Sequence, residues 1–292
     1  MPVRHIALAV LVTAIWGFNF VVIRLGLGSV PPLLLAALRF VVAALPAAFL
    51  ARPNVPLGKM VAIGMTLFVG QFAFLFPAMK LGMPPGLASV TLQSQAFFTI
   101  LIAALALGER PKPRQLAGAG VAAAGLLTIA STVGGDFTLI GLGLTIASAT
   151  SWAIGNVLMR GAGKVDMLAL MVWLSLVPPI PLFLLSLAFE GWPAIAAGIS
   201  GMGLIGAGSV LYLALLATLV GFGLWGFLLR NHPASTVAPF SLLVPLFGTL
   251  SSWLVLGETF SPLRVAGMML ILLGLATIAL PLPALSKRKR AA

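Results

Sequence analysis

Eleven side chains in this 292-residue sequence could hold a small polar molecule without reacting with it. They are Trp16, Asn19, Phe20, Gln71, Gln95, Phe98, Trp152, Asn156, Tyr212, Trp225 and Ser241. Amides, a phenol and a hydroxyl offer donors and acceptors with no net charge, while the rings supply apolar walls. Such a set suits a small zwitterion such as an amino acid, whose two charges dipoles and broken helix ends can meet. It does not suit bond cleavage. There is no cysteine, which excludes a thiolate nucleophile, a thiolate metal site and any disulfide. The five acids (Glu109, Asp136, Asp166, Glu190, Glu258) and both histidines (His5, His232) fall at the ends of apolar stretches or between them. No His-Glu-x-x-His or Gly-x-Ser-x-Gly occurs and no acids pair inside an apolar run, so the sequence predicts no enzyme, no metal and no cofactor. Sugar phosphates would need converging Lys and Arg at depth, and drug cations a buried carboxylate; the sequence offers neither.

The elements that must position these residues are membrane helices. The chain is 61% hydrophobic and 8% charged, against roughly 25% charged for a soluble domain. Ten segments approach the roughly 20 apolar residues that cross a bilayer. They lie near 5–25, 33–51, 60–80, 86–107, 115–132, 139–159, 167–188, 203–229, 236–256 and 264–282. They are too long and too continuously apolar for barrel strands. The longest loop is expected at 190–201. No small-residue cleavage site closely follows Arg4, so the first segment reads as a retained span.

At about 100° per residue, the polar positions fall on helix faces. Thr13, Trp16, Asn19 and Phe20 share one face of the first span, and Gln71 sits beside Phe68, Phe72 and Leu75 in the third. Thr91, Ser94, Gln95, Phe98 and Thr99 form a stripe in the fourth. Gln93 lies about 200° from Gln95, so the two cannot face one space; Gln95 is the one expected to face a cavity. Ser148, Ser151, Trp152, Gly155 and Asn156 align in the sixth. The eighth offers Tyr212, Thr218, Gly221, Phe222 and Trp225; the ninth, Ser241, Pro245, Thr249 and Ser252. Asn19, Gln71, Gln95 and Asn156 serve equally well as cavity lining or as interhelical hydrogen-bonding groups. Arg39 stands alone inside the second span, where it either functions at depth or snorkels to the interface. Pro77, the prolines at 178, 179 and 181, Pro239 and Pro245 are candidate kinks. Gly118, Ala122 and Gly125, like Gly267 and Gly274, mark packing helices.

Charge sets the expected orientation. With ten spans, one side holds Arg4, Arg52, Lys59, Arg110, Lys112, Arg114, Arg160, Lys164, Arg230 and the tail Lys287-Arg288-Lys289-Arg290, thirteen in all. The other holds Arg24, Lys80 and Arg264. That bias predicts both termini in the cytoplasm. The net charge of +12 is spread between apolar runs and so points to a lipid bilayer, not to nucleic acid.

The chain also repeats itself. LALGERPKPRQLAGAGVAAAGLL at 105–127 matches LVLGETFSPLRVAGMMLILLGLA at 254–276, aligning Gly108-Glu109 with Gly257-Glu258. Upstream, Trp16 pairs with Trp152 and Arg24 with Arg160. This predicts two five-span units, 1–135 and 136–285, followed by a basic tail at 286–292. Five is odd, so the second unit enters the membrane inverted, as in secondary transporters.

Two five-span units each ending their fourth span in Gly-Glu, together with Trp-Gly-Phe-Asn-Phe at 16–20, resemble the EamA family of the drug/metabolite transporter superfamily. The resemblance covers essentially the whole chain. The stretches 31–40, 71–76, 82–89 and 95–100 are similar to bacterial inner-membrane amino-acid exporters, those of O-acetylserine and cysteine more than the aromatic ones. The resemblance implies an all-α basket of ten helices, with spans 1, 3, 4, 6, 8 and 9 around a central cavity and 5 and 10 at the edge. It implies alternating-access export of amino acids, with a monomer sufficient. Lacking a buried acid, the chain is expected to be facilitative or to work by exchange; a broad, proton-coupled drug or metabolite exporter is the alternative.

Overall fold

The computed structural model describes residues 1–163 and 165–280, the side chains of Ala234 and Ser235 excepted. Lys164 and the basic tail therefore lie outside the described residues. Among those described the fold is helical, with one isolated bridge between Gly134 and Phe137. The main helices are α1 (Val3–Gly26), α2 (Pro32–Ala48), α3 (Leu57–Lys80), α4 (Pro85–Leu107), α5 (Pro113–Ala130), α6 (Leu139–Ala162), α7 (Met167–Phe189), α8 (Gly191–Ser200), α9 (Gly203–Asn231), α10 (Ala238–Leu256) and α11 (Pro262–Ala279). Eight of these (α1, α3, α4, α6, α7, α9, α10 and α11) are long and apolar enough to cross a membrane. α2 is apolar but shorter, and α5 opens on Pro113-Arg114-Gln115, which lowers its hydropathy. The expected loop at 190–201 is instead helix α8. Gly191, at a left-handed φ of +79°, turns the chain between α7 and α8.

Prolines start several helices where a missing N–H costs nothing: Pro32, Pro85, Pro113 and Pro262 all occupy the first turn. α4 and α10 each end at a glycine in the left-handed region, Gly108 and Gly257, immediately before the glutamate of the repeated Gly-Glu pair.

Small residues dictate the tightest pairing. α5 and α11 pack along each other. A Cβ on Gly118 would stand 2.7 Å from the Gly274 carbonyl oxygen, and one on Gly125 2.7 Å from that of Gly267. Backbone approach this close is what glycine permits between membrane helices, where dispersion and not water expulsion drives association. Elsewhere α1 lies against α9 and α10, while α6 lies against α3 and α4.

Two helices depart from α winding at matching places. α3 widens to π-type winding over Met65–Gly70, and α9 over Tyr212–Val220. α4 and α10 tighten to 3₁₀ winding over Leu92–Ser94 and Ala238–Leu242. Such departures loosen the normal carbonyl pairing and leave backbone oxygens for side chains of other helices.

Candidate functional site

The wide turns in α3 and α9 are where the polar residues converge. On α9, the Trp16 indole Nε1 donates to the Ala217 carbonyl at 2.9 Å. Its ring lies 5.2 Å from Phe222 and 5.3 Å from Trp225, making one aromatic patch between α1 and α9. Gly221 ends the wide turn and gives the indole room: a Cβ there would be 2.6 Å from Nε1. On α3, Ser151 Oγ donates to the Thr66 carbonyl and Ser148 Oγ to that of Gln71, each at 2.7 Å. Gly70 ends this wide turn, and a Cβ there would meet Ser151 Oγ.

A second polar group joins α4 to α6. Asn156 Nδ2 donates to Gln95 Oε1 at 2.7 Å and approaches Thr99 Oγ1 at 3.4 Å. Thr99 Oγ1 itself donates to the Gln95 carbonyl. Gln95 and Asn156 are half-buried, whereas Gln93 is buried. Phe98 and Trp152 are half-buried and pack on the core, Phe20 lies inside that core, and Gln71 is buried. The Oδ1 of Asn19 is buried with no hydrogen-bond partner.

Two of the eleven residues stand apart from these groups. Tyr212 donates its hydroxyl to the Ile15 carbonyl at 2.9 Å, and its ring packs on Phe18. Phe18 is about 200° round α1 from Trp16. Tyr212 thus lines a lateral groove of about 360 Å³ with Phe18, Phe247 and Leu250. Ser241 Oγ bonds back to the Ala238 carbonyl within its own turn.

Residues that the sequence left open or passed over also take positions. Arg39 does not snorkel. It is 4% exposed, donates from Nη2 to the Leu213 carbonyl (3.2 Å) and Thr218 Oγ1 (2.9 Å), and its Nε and Nη1 have no partner. Its guanidinium stands 4.4 Å from the Phe72 ring centre and 5.0 Å from that of Phe40. Lys80 Nζ donates to the Leu27 carbonyl at the end of α1. Glu190 accepts from the Leu33 and Leu34 N–H groups at the start of α2. Glu258 accepts the Gly86 N–H at the start of α4 at 2.8 Å and a hydrogen bond from Ser252. Burial pushes the Glu258 carboxyl above its usual range, against the pull of those donors. The lone Arg in an apolar run and the repeated Gly-Glu were the sequence signals for Arg39 and Glu258. For the wide turns, only the glycines at 70 and 221 gave any.

The family model described as the EamA-like transporter family matches the chain twice, over 3–131 and 139–280. A protein of Salmonella typhimurium named "Probable amino-acid metabolite efflux pump" is 46% identical over 275 residues, 92% of each chain. Its namesake in Escherichia coli is 44% identical over the same share. A "Probable terminal-alkyne amino-acid exporter" of Streptantibioticus cattleyicolor is 26% identical, over 88% of this chain and 87% of its own. One solved crystal structure superposes with a TM-score of 0.56 at 20% identity, over 95% of this chain and 97% of its own, which shows a shared fold.

Proposed function

The chain belongs to the EamA-like transporter family, and from that premise we propose that it exports amino acids and related small zwitterions across the bacterial inner membrane by alternating access. The efflux-pump relatives, alike over nearly their whole length, support the substrate class. The observation that carries the mechanism is the doubled contact. α1 of the first unit sets Trp16 on the wide turn of α9 in the second, and α6 of the second sets Ser151 on the wide turn of α3 in the first. One relation built twice across two halves is what an inverted pair needs to open to either side of a midplane site.

On this reading the two units are 1–135 and 136–285, related by inversion. The eight long helices, with α2 and α5, make ten spans around a central cavity; α5 and α11 lie at the edge, and α8 is an added surface helix. Both termini are cytoplasmic, as the Lys and Arg bias favours. Trp16, Asn19, Gln95 and Asn156, with Trp225 and Trp152, are the principal lining, with Phe20, Gln71 and Phe98 behind them; Tyr212 and Ser241 contribute only as the helices move. Uncharged amides and indoles fit zwitterions of varied side chain, and transport runs by exchange or down a gradient. A monomer suffices.

Counterflow in proteoliposomes tests this. Vesicles loaded with unlabelled threonine, methionine, cysteine or phenylalanine should transiently accumulate the labelled form of the same amino acid. Folded protein that accumulates none of them overturns the substrate class and favours a broader drug or metabolite exporter.

A further inference from the structure

Arg39 raises a problem of charge balance. It sits 4% exposed on an apolar helix, and a buried guanidinium without a counter-ion is costly. The chain has five acids, and each is engaged elsewhere. Glu109 pairs with Arg160, Asp136 with Arg264 and Asp166 with Arg230. Glu190 holds the first turn of α2, and Glu258 that of α4. None is left for Arg39. Phe72 and Phe40 soften the cost through their ring faces, yet Nε and Nη1, donors on opposite edges of the guanidinium, remain unmatched.

An unmatched acceptor lies at the same depth. Gly26 of α1 marks one level, since a Cβ there would be 2.8 Å from Leu35 of α2 and 3.0 Å from Ser209 of α9. Trp16, bonded to Ala217 of α9, marks another. Asn19 lies between them along α1, and also in angle, within about 80° of arc bounded by these two contacts with α9. Arg39, one turn past Leu35, spans the same interval through its bonds to Leu213 and Thr218. The buried, unpartnered Oδ1 of Asn19 and the unpartnered donors of Arg39 thus lie at one depth along α9.

We propose that the two groups face one junction of α1, α2 and α9, and that this junction is the subsite for the α-carboxylate and α-ammonium of the transported amino acid. The carboxylate takes Nη1 of Arg39 in a single charge-assisted bond and supplies the missing counter-ion. The ammonium, two bonds from the carboxylate carbon, donates to Asn19 Oδ1. The substrate side chain is left to the Trp16, Phe222 and Trp225 patch, which explains recognition of the common part of amino acids with tolerance of the rest. In this conformation Arg39 is buried and Asn19 half-buried, and the site opens as α1 and α9 move apart. The proposal rests on the amino-acid export reading.

Wild-type counterflow of labelled threonine separates the outcomes. Threonine competes; its methyl ester, its amide and its decarboxylated amine should each compete at least about tenfold less well, the loss expected for a charge-assisted pair. N-acetyl threonine should also weaken, through Asn19. Arg39→Gln should abolish exchange and Arg39→Lys retain part of it. Asn19→Asp provides the check on folding: a carboxylate built in beside Arg39 should keep the protein monodisperse in detergent while blocking exchange at least tenfold. Equal competition by the ester and the acid, with threonine counterflow intact, overturns this subsite alone, as does competition by chloride matching that of threonine. Absence of counterflow with every amino acid overturns the export reading and this subsite with it.

Discussion

The two wide turns make the sharpest comparison within the molecule. In α3 the turn ends at Gly70 and receives the small hydroxyl of Ser151; in α9 it ends at Gly221 and receives the indole of Trp16. The backbone device is the same, but the company differs. A hydroxyl lets α6 lie close on α3, with Ser148 adding a second bond one turn away. The indole spaces α1 from α9 and stacks on Phe222 and Trp225. One of the two crossed contacts therefore carries an aromatic wall, and the other lies beside an amide pair, Gln95 and Asn156, on α4 and α6. On the export reading, a frame symmetric enough for alternating access carries unlike side chains at its two crossed contacts.

The largest effect should come from breaking what both halves share. Gly274→Leu puts a side chain where a Cβ already meets the Gly118 carbonyl at 2.5 Å. Backbone cannot step aside as a side chain can, so the cost should reach the upper end of overpacking, about 3 kcal/mol or more. The expected result is loss of monodisperse protein on size exclusion in detergent. Gly120→Ala, with nothing within 4 Å, should elute as wild type. If the two variants behave alike, the pairing of α5 and α11 does not hold the halves together.

Next come the walls themselves. Trp16→Ala removes the bond to Ala217 and the core of the aromatic patch, and should lower transport about tenfold or more with expression intact. Asn19→Ala should do the same through the junction with Arg39. Trp152→Ala, at the corresponding place in the second unit but packed on the core without a hydrogen bond, should cost less transport and more stability. Equal losses at Trp16 and Trp152 in counterflow and in melting temperature would mean that the lining is as symmetric as the frame.

Much of the frame was legible in the residues alone. Helix after helix begins and ends within a few residues of the apolar stretches, because span length and proline position are local properties. The glycine pairs announced α5 and α11. The features that stayed hidden depend on which side chains face one another. Apart from the glycines at 70 and 221, nothing in or beside the runs 65–70 and 212–220 signals a wide turn, since winding there answers to a side chain on another helix. Tyr212 stands among the residues the eighth span offers a cavity, yet a widened turn shifts the register of the residues around it, and its ring ends in a lateral groove beside Phe18. α8 was hidden because a short apolar stretch after Gly191 can be loop or helix alike. Arg39 could be noticed but not placed: its partners, Leu213 and Thr218, are more than 170 residues away.

The smaller effects belong to the repeated Gly-Glu turns. Gly108 and Gly257 have nearly the same φ, +66° and +67°, but the glutamates diverge. Glu258 reaches across to the start of α4, where Gly86 donates to it, and its other oxygen is buried without a partner. Burial raises its pKa, so its neutral form is the one the folded state prefers. Its contribution to stability is therefore present at low pH and fades as pH rises through the raised value. Melting temperature in detergent should decline across that range in wild type and stay flat in Glu258→Gln, which is neutral throughout and still accepts from Gly86. Glu258→Ala, which leaves that N–H unmet, should be the less stable variant at every pH, by about 1–2 kcal/mol.

Glu109 is the counterpart that should barely register. It meets Arg160 at 2.6 Å, but both side chains are nearly half exposed, and water screens a pair so placed. Glu109→Gln should leave melting temperature unchanged in moderate salt. Its interest is in flux. If the halves exchange roles as the transporter opens to the other side, Glu109 must leave Arg160 and take up, at the start of α10, the place that Glu258 holds at the start of α4. Glu109→Ala should then slow exchange by a few-fold with stability untouched, a separation that an ornamental surface pair cannot produce. Unaltered exchange in Glu109→Ala would mean that the Gly-Glu turns share only their ancestry, and that the latch at α4 has no partner on the opposite face.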